Sequence, residues 1–211
     1  MNKANHSVAQ INIAKNLLRT TIFIFPIAVI TVLLMAFFLW LLDIATTTRW
    51  QHIWLIFLLP VAGILINWLY QFAGKNAVEG NNLIIDEIHQ TGGGMPARMT
   101  PLILFTTIIT HLFGGSAGRE GTAVQMDGSL AALFARWYKL HHDKKRILLM
   151  CFMAAGFSDV FGTPVAGAIF AMEVINIGKT KNKAVIQCLF ASVIAHIVCI
   201  CWHLSYYLFY Y

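Results

Sequence analysis

The stretch that decides the fold is Gly114-Gly115-Ser116-Ala117-Gly118-Arg119-Glu120-Gly121-Thr122-Ala123. Before it, residues 99–113 are apolar but number only about 15, short of the ~20 a bilayer-crossing helix needs. After it, the pattern predicts a helix from Thr122 to about Leu140. A glycine-rich break between two apolar segments lets the backbone come close to a ligand. At such a helix start the amides of Gly121, Thr122 and Ala123 would lack intrahelical partners, and with the helix dipole they make an anion site without a fixed cation. Glu120 is itself an anion, able to occupy that site when ionised and to leave it when protonated. Taken alone, the same residues also fit a solvated loop acid neutralised by Arg119.

Composition sets the environment. The 211 residues are 58% hydrophobic and 11% charged, with mean hydropathy +0.69. A soluble domain carries about 25% charge, so this surface suits lipid instead. The net charge of +6 does not point to nucleic acid, because Lys and Arg sit in short polar stretches between apolar runs and not on one element. That placement fits the positive-inside rule and an inner (plasma) membrane, multi-pass, with a cytoplasmic N-terminus. Cys151, Cys188, Cys199 and Cys201 all fall in apolar segments and read as buried small hydrophobes, not as a disulfide framework or metal site.

Along the chain, residues 1–20 read as an amphipathic surface helix, with Ile11, Ile13, Leu17 and Leu18 opposed to Lys3, Lys15 and Arg19. A first span is expected over 21–42, about 22 residues and therefore longer than the ~7–15 of a signal-peptide core. A polar loop from Asp43 to Gln51 and a second span over 53–72 follow. Residues 73–98 are too rich in Gly and acids to cross, and hold a short helix, Leu83 to His89, entered through Gly80-Asn81-Asn82. His141-His142-Asp143-Lys144-Lys145-Arg146 reads as a cytoplasmic loop. Two short segments, 147–158 and 164–177, are broken at Phe161-Gly162-Thr163-Pro164. Lys179, Lys181 and Lys183 mark a turn, and a last span over 184–204 ends in the aromatic group Tyr206, Tyr207, Tyr210 and Tyr211. Broken helices at membrane depth are tolerated where they line an enclosed cavity, which suggests an anion pathway. The eight histidines assemble no site.

The run Gly114 to Met126 resembles the signature of the CLC chloride channel and transporter family, whose usual form is Gly-Lys/Arg-Glu-Gly-Pro. Ala154-Ala155-Gly156-Phe157, followed by Phe161 to Phe170 and Glu173, resembles that family's next helix pair. The resemblance implies an all-α membrane fold, one half of the CLC inverted repeat, with residues 21–211 as a single half-repeat behind the N-terminal helix of 1–20. It implies that Glu120 is the gating glutamate and external proton acceptor, beside anion-binding groups at Asn81, Asn82, Gly118, Arg119, Gly121, Thr122 and Ala123. The function implied is transmembrane anion transport, not enzymatic catalysis, with no cofactor and no metal.

Four departures from the family pattern refine the expectation. The central Gly-Ser-Gly-Ile-Pro motif appears as Gly80-Asn81-Asn82-Leu83-Ile84, without serine or proline, and the internal proton glutamate is replaced by Val174. Both favour the fluoride-exporting branch over chloride. Thr122 replaces the usual proline, and Asp127 stands where the pattern has glycine. A mid-membrane carboxylate costs roughly 2.5–3.5 kcal/mol unless paired or hydrated, so Asp127 reads as a damaging change or as the lining of a water path.

Family members carry two inverted halves, and one half is present here. The expectation is therefore that a complementary C-terminal half, or a homodimer, completes the pore in the lipid bilayer, or that the sequence is a truncated fragment. The expected partners are fluoride or chloride and protons, with no nucleic acid. Three readings remain open: a fluoride/proton antiporter, a chloride channel or chloride/proton exchanger of the same family, and a fragment that transports nothing.

Overall fold

The computed structural model describes residues 3–74, 77, 79–89, 95–173 and 184–201. Every regular element among them is a helix. In chain order these are α1 (Lys3–Gln51), a 3-10 turn (Ile53–Leu58), α2 (Leu59–Ala73), α3 (Asn81–His89), α4 (Met99–Leu112), α5 (Arg119–Trp137), α6 (His142–Phe161), α7 (Pro164–Glu173) and α8 (Val185–Cys201). Val174, Lys179, Lys181, Lys183, Gly92 to Gly94 and the terminal tyrosines lie outside the described residues, as does the sidedness expected of residues 1–20.

Among the described residues, two segments are long and apolar enough to cross a membrane, Ala28–Gln51 and Ile53–Ala73. The second turns nearly all its bulk outward: Phe57 is 81% exposed, Ile64 and Phe72 72% each, and only Ala62 of α2 is buried. Water would reject such a surface, whereas hydrocarbon accepts it. At the centre lies α6, packed against α1, α5, α7 and α8 and buried almost continuously from Leu148 to Val160. The short helices α3, α4 and α7 match the segments too brief to span.

Three boundaries correct the sequence reading. No loop runs from Asp43 to Gln51; α1 continues to Gln51. Its polar residues satisfy themselves within the helix, Thr46 Oγ1 donating to Leu42 O at 2.8 Å and Thr48 Oγ1 to Ile44 O at 2.7 Å. Arg49 lies 5.0 Å from the Trp50 ring centroid. The basic loop at 141–146 is likewise mostly helix, for His142–Arg146 form the start of α6. His141 caps it by accepting from the His142 amide at 3.1 Å, and Asp143 in the first turn suits the helix dipole. Lys145 reaches the buried Glu87 of α3 in an ion pair.

The third correction concerns α5, which begins at Arg119, three residues before the expected start, and ends at Trp137. Gly118 is the N-cap in an extended conformation, φ −69 and ψ 134, and Glu120 in the first turn complements the positive end of the dipole. The break after α6 falls where expected: Gly162 takes the left-handed conformation, φ 65, that terminates a helix, and Pro164 opens α7. Cys151, Cys188 and Cys199 are buried as free thiols, whereas Cys201 is exposed near the end of α8.

Candidate anion site

Because α5 starts at Arg119, the amides without an intrahelical partner are those of Gly118, Arg119, Glu120 and Gly121. Thr122 and Ala123 are already inside the helix and buried. The amides free to meet a ligand therefore begin at Gly118, three residues before the expected Gly121. Glu120 sits on this turn with its side chain folded back: a Cβ built on Gly118 would meet Glu120 Oε2 at 3.1 Å. Its carboxylate thus lies over the N-cap, where a free anion would also bind.

Thr122 holds the turn from inside. Its Oγ1 donates to Gly118 O at 3.0 Å and lies 3.2 Å from Thr107 Oγ1 on α4. A proline at this position would carry neither contact. Threonine thereby fastens the start of α5 to α4 through buried side chains. The preceding break is fastened as well. Gly114, at φ +83, closes α4, and a Cβ there would meet Arg49 Nε and Ile56 Cγ1 at 3.3 Å. The turn that carries Glu120 therefore lies at the end of the bundle where α1 finishes.

The second helix start comes to the same place. Gly80, at φ +58, turns the chain into α3, and Asn81 is the first residue of that helix. Asn81 Oδ1 accepts from Gln125 Nε2 at 2.9 Å. Its Nδ2 lies 3.9 Å from where a Cβ on Gly121 would stand. Asn81 is thus brought to the first turn of α5, while Asn82 next to it is exposed and not part of this contact. Arg119 is half-buried on the same turn.

The sequence reading assigned no role to Gln125, although it falls between Gly114 and Met126. Its spacing of four from Gly121 puts it on the same face of α5, and that signal could have found it. Asp159 was also missed. It is an acid within the buried stretch of α6, 2% exposed, and Asp127 on α5 is fully buried. Asp127 faces neither lipid nor water: its Oδ2 occupies the space a Cβ would take on Gly156.

The family model described as "Voltage gated chloride channel" matches residues 62–211. The chain belongs to this family. A "Chloride/fluoride channel protein" of Pseudomonas syringae pv. tomato is 47% identical to this CLC chain over 167 residues, 79% of the chain and 37% of that protein. The crystal structure of a CLC-type fluoride/proton antiporter is 34% identical with a TM-score of 0.82, covering 88% of the chain and 47% of the antiporter. A slow cyanobacterial Cl−/H+ antiporter, 22% identical with a TM-score of 0.59, shares the fold. The CLC chain thus spans less than half the length of these relatives. The all-α, broken-helix half-repeat expected from the sequence is the fold observed.

Proposed function

We propose that this CLC chain provides one anion-binding half of a fluoride/proton antiporter, with Glu120 as the group that exchanges a proton against the anion. One observation carries the reading. The starts of α3 and α5 meet through Asn81 and Gln125, and the Glu120 carboxylate lies over the N-cap of α5. Two helix N-termini supply amide donors and positive dipole ends to one anion. An ionised Glu120 competes with that anion for the same donors, and protonation frees them. Exclusion of this kind couples the two fluxes.

Fluoride is favoured over chloride by the amide at Asn81, a strong donor for a small, strongly hydrated anion, in place of a hydroxyl. The similarity to a solved fluoride/proton antiporter supports the same preference, and the similar Pseudomonas protein is named for both anions. The remaining half of the pore comes from further residues of the same polypeptide or from a second chain, within a plasma-type membrane. The end of the bundle that carries Glu120 then faces outward when the N-terminus is cytoplasmic.

Fluoride and chloride efflux from proteoliposomes, measured together with proton flux in the completed pore, tests the reading. Fluoride movement with stoichiometric proton counter-movement is expected. Glu120→Gln should reduce proton flux to the level of empty liposomes while altering anion passage. Proton pumping by Glu120→Gln at the normal rate overturns the role of Glu120. Fluoride flux without protons in the unaltered protein makes it a channel, and chloride passing at least as well as fluoride overturns the substrate.

A further inference from the structure

We propose that the turn between α5 and α6 is a binding corner for the phosphate of an anionic membrane lipid, built on Arg136, Lys139 and Lys144 with Trp137 and Tyr138 beside them. All five side chains are exposed. Lys145 is taken up by Glu87, and among the described residues no carboxylate pairs with Arg136, Lys139 or Lys144. Asp143 is the acid of the turn, and it stands in the first turn of α6, where the helix dipole favours it. Exposed cations gathered in this way attract an anion, and the anion that a bilayer presents at its surface is a lipid phosphate.

The position of the corner fits a membrane surface. Helix α5 has 19 residues, about 28 Å at 1.5 Å each, close to the ~30 Å of a hydrocarbon core. Its two ends therefore reach opposite faces of the bilayer, Glu120 at one and this corner at the other. Trp137 is 74% exposed although its ring is large and mostly apolar. The ring is held in place: it lies 5.7 Å from Tyr138 and 6.1 Å from Phe134, which stands 6.0 Å from the buried Phe152 of α6. Tryptophan and tyrosine anchored in this way suit the level of lipid headgroups, where one end of the ring is apolar and the other wet.

Lys139 marks the corner as a built feature. Helix α5 ends in a Schellman turn, in which Leu140 N donates to Ala135 O at 2.9 Å and Lys139 N to Arg136 O at 3.1 Å. Lys139 supplies the left-handed residue of that turn, φ 48, a position glycine fills without steric cost. It is the one non-glycine residue with a positive φ among the described residues. A side chain kept at a strained backbone position points to a use that glycine would not serve. What lysine adds there is an exposed cation on the turn between Arg136 and Lys144. The corner shares no residue with the anion site, and the inference stands whether or not this chain transports anything.

Thermal melts of the full chain in neutral detergent, titrated with phosphatidylglycerol, phosphatidylcholine or soluble glycerol phosphate, test it. Phosphatidylglycerol should raise the melting temperature, and the other two should not. Without lipid, Lys139→Gly should melt no lower than the unaltered chain, since glycine relieves the turn. It should nevertheless bind phosphatidylglycerol about fivefold more weakly, the worth of one cation near a membrane surface. Lys139→Arg should keep the affinity, whereas Arg136→Gln and Lys144→Gln should each weaken it as Lys139→Gly does. Arg49→Gln removes a charge at the Glu120 end and should leave the affinity unchanged. An equal loss in Arg49→Gln reduces the effect to net charge and overturns the corner, as does an unaltered affinity in Lys139→Gly. An equal shift with phosphatidylcholine overturns the role of charge, and an equal shift with glycerol phosphate overturns the lipid as the source of the phosphate.

Discussion

Gln125 Nε2 donates to Asn81 Oδ1 at 2.9 Å, and this one bond between residues 44 positions apart ties the start of α3 to the N-terminal part of α5. With its oxygen engaged, Asn81 presents its NH2 group toward Gly121 on the first turn of α5. The orientation of a flexible amide is thereby set by a neighbour, so its NH2 group is held in place as a hydrogen-bond donor.

Asn81→Ala should therefore lower the preference for fluoride over chloride more than Asn82→Ala does. Gln125→Leu should follow Asn81→Ala in the same direction, since it releases the amide that Asn81 presents. Relative efflux rates of the two anions from the completed pore check this. Equal effects of the Asn81 and Asn82 changes would remove Asn81 from the anion path.

Gly156 and Asp127 should be strongly coupled. Gly156→Ala places a methyl where Asp127 Oδ2 sits, and overpacking of this kind costs about 1–3 kcal/mol. Asp127→Gly, combined with Gly156→Ala, should restore most of the loss. Thermal melts of the two single variants and the double variant give the coupling, expected at about 1–3 kcal/mol. Additive effects would mean that the two helices are not in contact at this point.

Thr122→Val keeps the shape of the side chain and deletes its hydroxyl. It loses the bonds to Gly118 O and Thr107 Oγ1, and it leaves the Thr107 hydroxyl buried. A loss of about 0.5–1.5 kcal/mol in detergent is expected from the net worth of such bonds. Because Thr122 carries the cap of α5, anion affinity measured by calorimetry should fall as well. A stable variant with unaltered affinity would reduce Thr122 to a spacer.

Lys145→Met should strand Glu87, which is 1% exposed and pairs with Lys145 across α3 and α6. Removing one partner of a fully buried pair costs about 3–5 kcal/mol. Lys145 retains 15% exposure, so about 2 kcal/mol is expected here. Glu87→Gln together with Lys145→Met should recover much of the loss. Denaturation midpoints of the three variants decide whether the pair is structural.

What the sequence determined by itself was local in origin. The glycine break before Arg119, the short apolar runs at α4 and α7, and the Gly162-Thr163-Pro164 stop are all readable because backbone freedom and apolar length act within a few residues. The family motif singled out Glu120, whose role is the proposal made above. Helix limits were less legible where polar residues satisfy themselves: Thr46, Thr48 and Arg49 look like loop but lie in α1, and Lys144 and Lys145 look like loop but lie in α6. The tertiary structure alone decided which distant groups meet. Asn81 with Gln125, Glu87 with Lys145, and Asp127 with Gly156 depend on how rigid helices cross, and one sequence states no crossing angle. Asp127 looked from the chain like a lone misplaced charge. Its packing against Gly156 of α6 encloses it between two helices, because burial is a property of the folded helices together.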